Sequence, residues 1–263
     1  MNIKLGPAGI GGIKESKEVL EMYHKTGISA AEIPFTYGVW MTNEQANEIG
    51  KIADKNKITL SCHAPYWINL NSDDKTKIEQ SKKRILSSAE RIHHLGGGIV
   101  VFHPGYYGKM KEDETFAVIV EEVRELVKTI KENKWKVKLA PETTGKINVF
   151  GSLTETIELV KQTKCFFTID FAHILARSQG KIDYDDVFDN LKGFDELHCH
   201  FSGIEWGEKG EKHHKITPDK EIKELVSEIL KRKKSVTIIN ESPEPYKDSL
   251  RMREEFIKQG WKF

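Results

Sequence analysis

The sequence predicts an α/β protein folded as a closed (β/α)8 TIM barrel, and three observations predict it. The length of 263 residues suits one α/β barrel. Short apolar, β-branched segments alternate with amphipathic stretches along the chain, which is typical of βα units and a parallel sheet. Eight strand segments of this kind occur, the number that closes a barrel. We therefore expect a single domain over residues 1–263, with an open doubly wound sheet as the alternative.

The predicted strands and helices follow one another in regular alternation. The strands cover residues 3–6, 30–35, 58–63, 98–103, 136–142, 165–170, 196–200 and 235–241. The helices cover residues 14–25, 44–56, 74–95, 113–133, 152–162, 184–190, 218–233 and 247–259. Thr42 or Asn43 and the pair Thr217-Pro218 are candidate helix N-caps. No linker and no repeat beyond the βα unit suggests a second domain.

Composition argues against several classes of function. The chain has 41 basic and 40 acidic residues and a formal net charge of +1, so it carries no overall electrostatic signal for nucleic acid, although a local basic rim is compatible with it. No apolar run is long enough to span a membrane and no signal peptide is visible, so we expect no membrane association. Cys62, Cys165 and Cys199 are an odd number without CxxC spacing, which favours a reducing cytoplasm over a disulfide framework.

Ionisable side chains end six consecutive predicted strands. They are His63, His103, Glu142, Asp170, His200 and Glu241. The carboxyl ends of barrel strands meet on one rim, where catalytic groups gather. An isolated charge buried there costs several kcal/mol unless it is paired or bound to a metal. The mixture of imidazoles and carboxylates suits Zn²⁺ or Mn²⁺ better than Mg²⁺, so we expect a metal site.

Further candidate ligands extend this set. His173 follows the sixth strand, and Glu211 and His213 lie in the loop after the seventh, with His214 as the alternative to His213. Glu142 is able to bridge two ions, which makes the site a candidate multinuclear cluster. Such a cluster activates water at neutral pH and clamps the attacking and leaving oxygens of a phosphodiester. By period-two alternation His198 shares a strand face with His200 one layer deeper, where we expect a structural hydrogen bond.

Five strand-end segments resemble the endonuclease IV family, the metal-dependent apurinic/apyrimidinic endonucleases of base-excision repair, which are xylose isomerase-like TIM barrels. The segments are His63-Ala64-Pro65-Tyr66-Trp67-Ile68-Asn69-Leu70, Phe102-His103-Pro104-Gly105, Pro141-Glu142-Thr143-Thr144-Gly145, Ile169-Asp170-Phe171-Ala172-His173 and Asn240-Glu241-Ser242-Pro243. The resemblance spans nearly the whole chain.

This resemblance implies two or three zinc ions, with Mn²⁺ as the alternative, and a catalytic role for Glu142. One zinc would be held by His63, His103 and Glu142, a second by Glu142, Asp170, His200 and Glu241, and a third by His173, Glu211 and His213. The implied reaction is hydrolysis of the phosphodiester 5′ to an abasic site in damaged double-stranded DNA, leaving a 3′-hydroxyl. The bridging Glu142 would help orient the attacking water. We expect the protein to act as a monomer.

The chain departs from the family pattern in two places. The family has Asp where Glu211 stands, and the loop after His200 differs, so the third metal site is the one in doubt. In the loop after strand two the family carries basic and polar side chains, whereas this chain has aromatic ones. Tyr37, Trp40, Tyr66 and Trp67 are therefore the candidate DNA-binding residues, able either to wedge into a base stack or merely to pack the rim. Candidate phosphate contacts are Lys109, Lys111, Lys146 and Arg177.

Two other functions are compatible with the sequence. A sugar isomerase or epimerase of the xylose isomerase-like barrels would use one metal, held by Glu142, Asp170, His200 and Glu241. The additional imidazoles of His63, His103, His173 and His213 favour the nuclease, because one metal and an acid/base pair leave them without a role. A barrel that only binds nucleic acid or a metabolite is the third hypothesis, motivated by the altered loops.

Overall fold

The computed structural model describes residues 1–263 and contains ten strands and nine helices. The strands are β1 Ile3–Pro7, β2 Ala30–Pro34, β3 Thr59–His63, β4 Gly98–Phe102, β5 Val137–Pro141, β6 Ile169–Asp170, β7 Glu196–Phe201, β8 Gly203–Gly207, β9 Gly210–Lys215 and β10 Ser235–Asn240. The helices are α1 Ser16–Lys25, α2 Asn43–Lys55, α3 Lys75–His94, α4 Glu112–Glu132, α5 Leu153–Thr163, α6 Phe171–Arg177, α7 Tyr184–Asn190, α8 Asp219–Arg232 and α9 Pro245–Lys258.

Eight of the strands form a closed parallel barrel. They make two four-stranded arcs, β1-β10-β7-β6 and β2-β3-β4-β5. A parallel bridge between Ala8 and Glu32 joins β1 to β2, and one between Glu142 and Thr168 joins the end of β5 to the start of β6. These two bridges complete the ring, which confirms the predicted (β/α)8 barrel over the open doubly wound sheet.

The helices pack their apolar faces on the outside of this barrel. Helix α4, for example, buries Ile119, Val123, Leu126 and Ile130, which recur at the three- and four-residue spacing of one helix face. Each such side chain contributes about 1.5–3 kcal/mol when it is fully buried. The core therefore lies in the layer between the strands and the helices, and the strand ends remain available for polar side chains.

Most predicted elements lie within two residues of the observed ones. Thr42 caps α2 in a reciprocal capping box with Gln45. Of the pair Thr217-Pro218, Pro218 occupies the N-cap position of α8 without a side-chain cap, and the hydroxyl of Thr217 accepts the amide of Gly203. The ladder pairing of the sixth strand covers only Ile169–Asp170, shorter than the predicted 165–170.

Two observed features were not predicted. The short helix α6 starts immediately after β6, and the loop after β7 is an antiparallel hairpin of β8 and β9. The three cysteines are buried and free. None of the helices has both the length and the apolar character needed to cross a membrane.

Candidate metal centre

Glu142 lies at the centre of the strand-end residues. It follows β5 and is fully buried. Its Oε2 lies 3.2 Å from Nε2 of His63 and 3.0 Å from Nε2 of His103. Its Oε1 lies 3.0 Å from Nδ1 of His200. One carboxylate thus contacts imidazoles from β3, β7 and the end of β4, a position from which it is able to bridge two cations.

A second group of carboxylates faces His200 on the other side of Glu142. The ligand atoms of Glu142, Asp170, His200 and Glu241 all lie within 4.8 Å of one another. Oδ1 of Asp170 accepts the amide of His173 and so begins helix α6. Oδ2 of Asp170 is buried without a hydrogen-bond partner. A buried, unpartnered carboxylate oxygen among other carboxylates is the arrangement that a bound cation stabilises.

A third group joins helix α6 to the β8–β9 hairpin. Nε2 of His173 lies 3.5 Å from Oε2 of Glu211, and Nε2 of His214 lies 3.9 Å from Oε1 of the same carboxylate. Nδ1 of His173 donates to the carbonyl of Thr143 at 2.9 Å. That hydrogen bond leaves Nε2 of His173 as the free ligand atom.

The structure places His214, rather than the predicted His213, in this third group. His213 pairs with Glu205 and Trp206 pairs with Glu211, so Lys212 is an extra residue in β9. A β-bulge of one residue reverses the alternation of side chains along a strand. Glu211 and His214 consequently face the same side, while His213 is exposed. The bulge therefore places His214, the alternative candidate, beside Glu211 in place of the predicted His213.

The charges of the centre are strongly coupled. Burial alone would raise the pKa of Glu142, but the imidazoles of His200 and His103 hold it well below its usual range. Burial and the neighbouring carboxylates raise the pKa of Asp170 despite His173. Burial would lower the pKa of His63, yet the contact with Glu142 raises it to about 9. In the absence of a metal, protons on the imidazoles therefore compensate the buried carboxylates, and divalent cations fit the same donor set.

The three groups open into one cavity of about 420 Å³ at the carboxyl end of the barrel. Tyr66, Tyr106 and Lys146 lie on its wall together with ligand candidates from all three groups. Of the predicted DNA-binding residues, Tyr37 and Trp67 are exposed and contact each other, with ring centroids 5.8 Å apart. The most exposed aromatic side chains, Tyr37, Tyr66, Trp67 and Tyr106, lie in the loops after β2, β3 and β4.

Two of the predicted rim contacts have structural partners. The indole of Trp40 donates to the carbonyl of Pro34 at 3.2 Å and packs edge-on against Phe35. The guanidinium of Arg177 donates to the carbonyls of Lys146 and Val149 at 2.6 and 2.9 Å. Arg177 thus holds the loop after β5 in place, which removes it from the candidate phosphate contacts. The other candidates, Lys109, Lys111 and Lys146, are exposed.

One buried acidic residue near the centre is not among the predicted site residues. Glu32 in β2 is 1% exposed and accepts hydrogen bonds from Ser61 and His198. The hydrogen bond from His198 agrees with the structural role expected for that residue. The available signal for Glu32 was a single charge inside an otherwise apolar strand, which marks a buried partner but not its identity.

Comparison with known proteins identifies the family. Residues 20–259 match the family model described as xylose isomerase-like TIM barrel. An uncharacterised protein of Methanocaldococcus jannaschii is 34% identical over 253 residues, which cover 90% of this chain and 91% of that protein. A probable endonuclease 4 of the Aster yellows witches'-broom phytoplasma is 28% identical over 225 residues, covering 77% of this chain and 76% of that protein.

Solved structures show the same fold at low identity. Endonuclease IV from Thermus thermophilus superposes with a TM-score of 0.71 at 18% identity and covers 99% of this chain and all of that one. A D-psicose 3-epimerase from Clostridium cellulolyticum superposes with a TM-score of 0.66 at 16% identity, covering 98% and 97% of the two chains. The resemblance to endonuclease IV is thereby confirmed, and the chain belongs to the xylose isomerase-like TIM-barrel family.

Proposed function

We propose that this protein is a zinc-dependent phosphodiesterase that cuts double-stranded DNA on the 5′ side of abasic sites. The observation that carries the proposal is the convergence of three ligand groups on one cavity, with Glu142 shared by the first two. An enzyme that clamps both oxygens of a phosphodiester during hydrolysis needs more than one cation, and this donor set offers places for two or three. The proposed cation is Zn²⁺, with Mn²⁺ as the alternative.

The bound ions would polarise the phosphate and lower the pKa of a water molecule. The chain's own residues supply the geometry. Glu142 is held from both sides by imidazoles and is fixed in the position of a bridge. The hydrogen bond from Nδ1 of His63 to the carbonyl of Ala64, at 2.7 Å, orients Nε2 toward the centre. Asp170 and Glu241 add the negative charge that makes the second group the strongest attractor for a divalent ion.

The rim and the relatives support DNA as the substrate. The exposed rings of Tyr37, Tyr66 and Trp67 provide flat surfaces on which bases stack. Rings of this kind also insert into a gap in a duplex. Lys146 adds a positive charge at the cavity wall. Relatives named as endonuclease 4 match this chain along most of its length. A cytoplasmic location, where buried thiols stay reduced, belongs to the same proposal.

A sugar epimerase is the second candidate, and one observation favours it. Glu142, Asp170, His200 and Glu241 by themselves form a compact mononuclear site, and epimerases are among the proteins with this fold. That function leaves His63, His103, His173 and His214 without a role, although all four line the cavity. The nuclease uses every one of them.

Metal stoichiometry and incision of a defined duplex test the proposal together. The purified protein is analysed for zinc and manganese and then incubated with a duplex carrying one tetrahydrofuran abasic analogue, before and after dialysis against a chelator. An otherwise identical duplex without the lesion is the control. We expect two or three metal equivalents and a chelator-sensitive nick only at the lesion.

The other outcomes identify the competing functions. One metal equivalent, no nick and exchange of a sugar C–H proton with solvent would contradict the nuclease proposal and support a sugar epimerase. Bound metal with neither activity would support the hypothesis of a barrel that only binds nucleic acid or a metabolite. Nicking that persists in the fully demetallated protein would exclude the metal mechanism itself.

A further inference from the structure

Three candidate histidine ligands, His63, His173 and His200, have one ring nitrogen that faces the site and another that contacts a group behind the ring. For His63 and His173 the fixed nitrogen is Nδ1, which donates to the carbonyl of Ala64 or Thr143. For His200 the orientation is reversed. Its Nδ1 faces Glu142 and Glu241, and its Nε2 lies 2.9 Å from Oε1 of Glu32.

Glu32 occupies this position because of the barrel register. Glu32 in β2 is paired with Ser61 in β3, whose hydroxyl donates to Oε2 of Glu32 at 2.7 Å. His198 and His200 are two residues apart in β7, so both side chains lie on the same face of that strand. Nε2 of His198 donates to the same Oε2 at 3.1 Å. Ser61 and His198 thus fix one oxygen of the carboxylate and leave Oε1 facing His200.

The contact between Oε1 of Glu32 and Nε2 of His200 is close but not well directed. Neither atom satisfies the angle of a hydrogen bond to the other, and neither has any other polar partner. Glu32 is 1% exposed and His200 is fully buried, so water does not compensate them. These two buried atoms attract each other by charge, and separating them would leave both without a polar partner.

We propose that Glu32 is a positioning residue for His200: it holds the Nε2–H side of the ring and thereby presents Nδ1 to the metal beside Glu142 and Glu241. This inference rests on the metal-binding part of the proposed function. Glu32 would do for His200 what a backbone carbonyl does for His63 and His173. A carboxylate behind a ligand imidazole also makes the ring a stronger metal ligand.

The test compares zinc affinity in three variants of the full-length protein. Metal-free protein is titrated with zinc against a competing chromophoric chelator, and unfolding of the metal-free form is followed in parallel. Glu32→Gln keeps the shape of the side chain but removes the negative charge that faces Nε2 of His200. Ser61→Ala is the matched control, because it removes a hydrogen bond to the same carboxylate without touching His200. His198→Gln removes the imidazole that donates to Oε2 of Glu32.

We expect Glu32→Gln to weaken one zinc equivalent by about 10- to 100-fold with the stoichiometry unchanged, and Ser61→Ala to stay within about threefold of the wild type. Wild-type zinc affinity in Glu32→Gln, whatever its unfolding curve, would overturn the inference. Loss of one whole equivalent in both Glu32→Gln and His198→Gln would also overturn it, because Glu32 would then be a ligand.

A second measurement covers the case in which Glu32→Gln does not fold. Nitrogen-15 spectra of the histidine rings in zinc-loaded wild-type protein report which nitrogen of His200 binds metal. Nδ1 bound to zinc with a proton on Nε2 supports the positioning role, and Nε2 bound to zinc overturns it. Wild-type protein that binds zinc but cuts no DNA would overturn the proposed function and leave this inference standing.

Discussion

The candidate centre has two halves that are built differently. In the strand half, the ligand candidates lie at the ends of barrel strands, and the contacts to Glu142 from His63, His103 and His200 measure 3.0–3.2 Å. In the hairpin half, Glu211 and His214 lie on β9, each about a fifth exposed, and the contacts to Glu211 measure 3.5 and 3.9 Å. The first half is fixed by the register of the barrel, and the second by one hairpin.

This difference predicts unequal metal sites. Barrel strands hold their neighbours through continuous ladders, so the ligands at their ends are preorganised and pay little ordering entropy on binding. The β8–β9 hairpin has a bulge beside Lys212 and exposes much of its surface. We therefore expect the strand half to retain its metal when the hairpin half has already lost its own.

Substitution of the shared carboxylate has the largest expected effect. Glu142→Gln removes the charge that both strand-half groups use, so we expect incision to fall by about 10³-fold or more, comparable with the loss of a principal transition-state stabiliser. Zinc content should fall by at least one equivalent. Single-turnover cleavage of the abasic duplex and metal analysis measure the two effects.

The control for this substitution is Glu205→Gln, which changes an exposed hairpin carboxylate paired with Lys215. This variant should cut at the wild-type rate. Near-normal cleavage by Glu142→Gln would exclude a bridging role.

The neighbouring histidines of β9 test the hairpin half. His214→Ala should weaken the last-bound zinc by about 10- to 100-fold and leave the strand-half equivalents unchanged. His213→Ala removes an exposed ring and should leave every equivalent at the wild-type affinity. Stepwise zinc titration of both variants measures the difference. If His213→Ala had the effect expected of His214→Ala, the bulge would not set the facing of these side chains in solution.

The sequence predicts the strand half because its signals are local and general. Alternating βα segments specify a parallel barrel, and in such a barrel the carboxyl ends of the strands meet on one rim. A histidine or carboxylate that ends a strand, such as His103 or Asp170, is therefore placed by the fold alone. The structure brings all six predicted strand-end residues together at that rim.

The hairpin half and Glu32 depend on pairing that a single sequence does not display. Whether His213 or His214 joins Glu211 is decided by a one-residue bulge, and nothing in the residue order of β9 marks its position. Glu32 has no spacing motif, because its partners Ser61 and His198 come from other strands. Both depend on strand register, which becomes visible only when the barrel is assembled.

Proton competition gives a pH test of the strand half. The pKa of His63 is raised to about 9 by Glu142, so at pH 7 its imidazole is protonated in the metal-free protein and must lose the proton to bind zinc. The zinc affinity of the strand half should therefore rise by about tenfold per pH unit for each proton released, up to about pH 9. Chelator competition between pH 6.5 and 9 measures this slope, and a flat profile would contradict it.

The stability of the metal-free protein should change in the opposite direction. Because the folded pKa of His63 lies above its unfolded value of about 6.5, its stabilising contribution is fully present below pH 6.5 and is lost as the pH rises through about 9. Chemical unfolding of the metal-free protein across the same range measures this loss. A metal-free protein that became more stable between pH 6.5 and 9 would contradict the assigned ion pair.

The rim aromatics have the smallest expected effect, and they test whether the strand half also carries the DNA contacts. Trp67 follows β3, is largely exposed and contacts Tyr37. Trp67→Ala should weaken binding of an abasic duplex by roughly tenfold, since stacking of one base on an aromatic ring contributes about 1–3 kcal/mol. Cleavage of the bound duplex should proceed at the wild-type rate, because Trp67 is not one of the residues that line the cavity. Trp40→Phe is the control: Trp40 packs on Phe35, so its replacement by another aromatic ring should leave binding within about threefold. Equal binding by Trp67→Ala and the wild type would assign these rings to rim packing and move the search for DNA contacts to the lysines near the cavity.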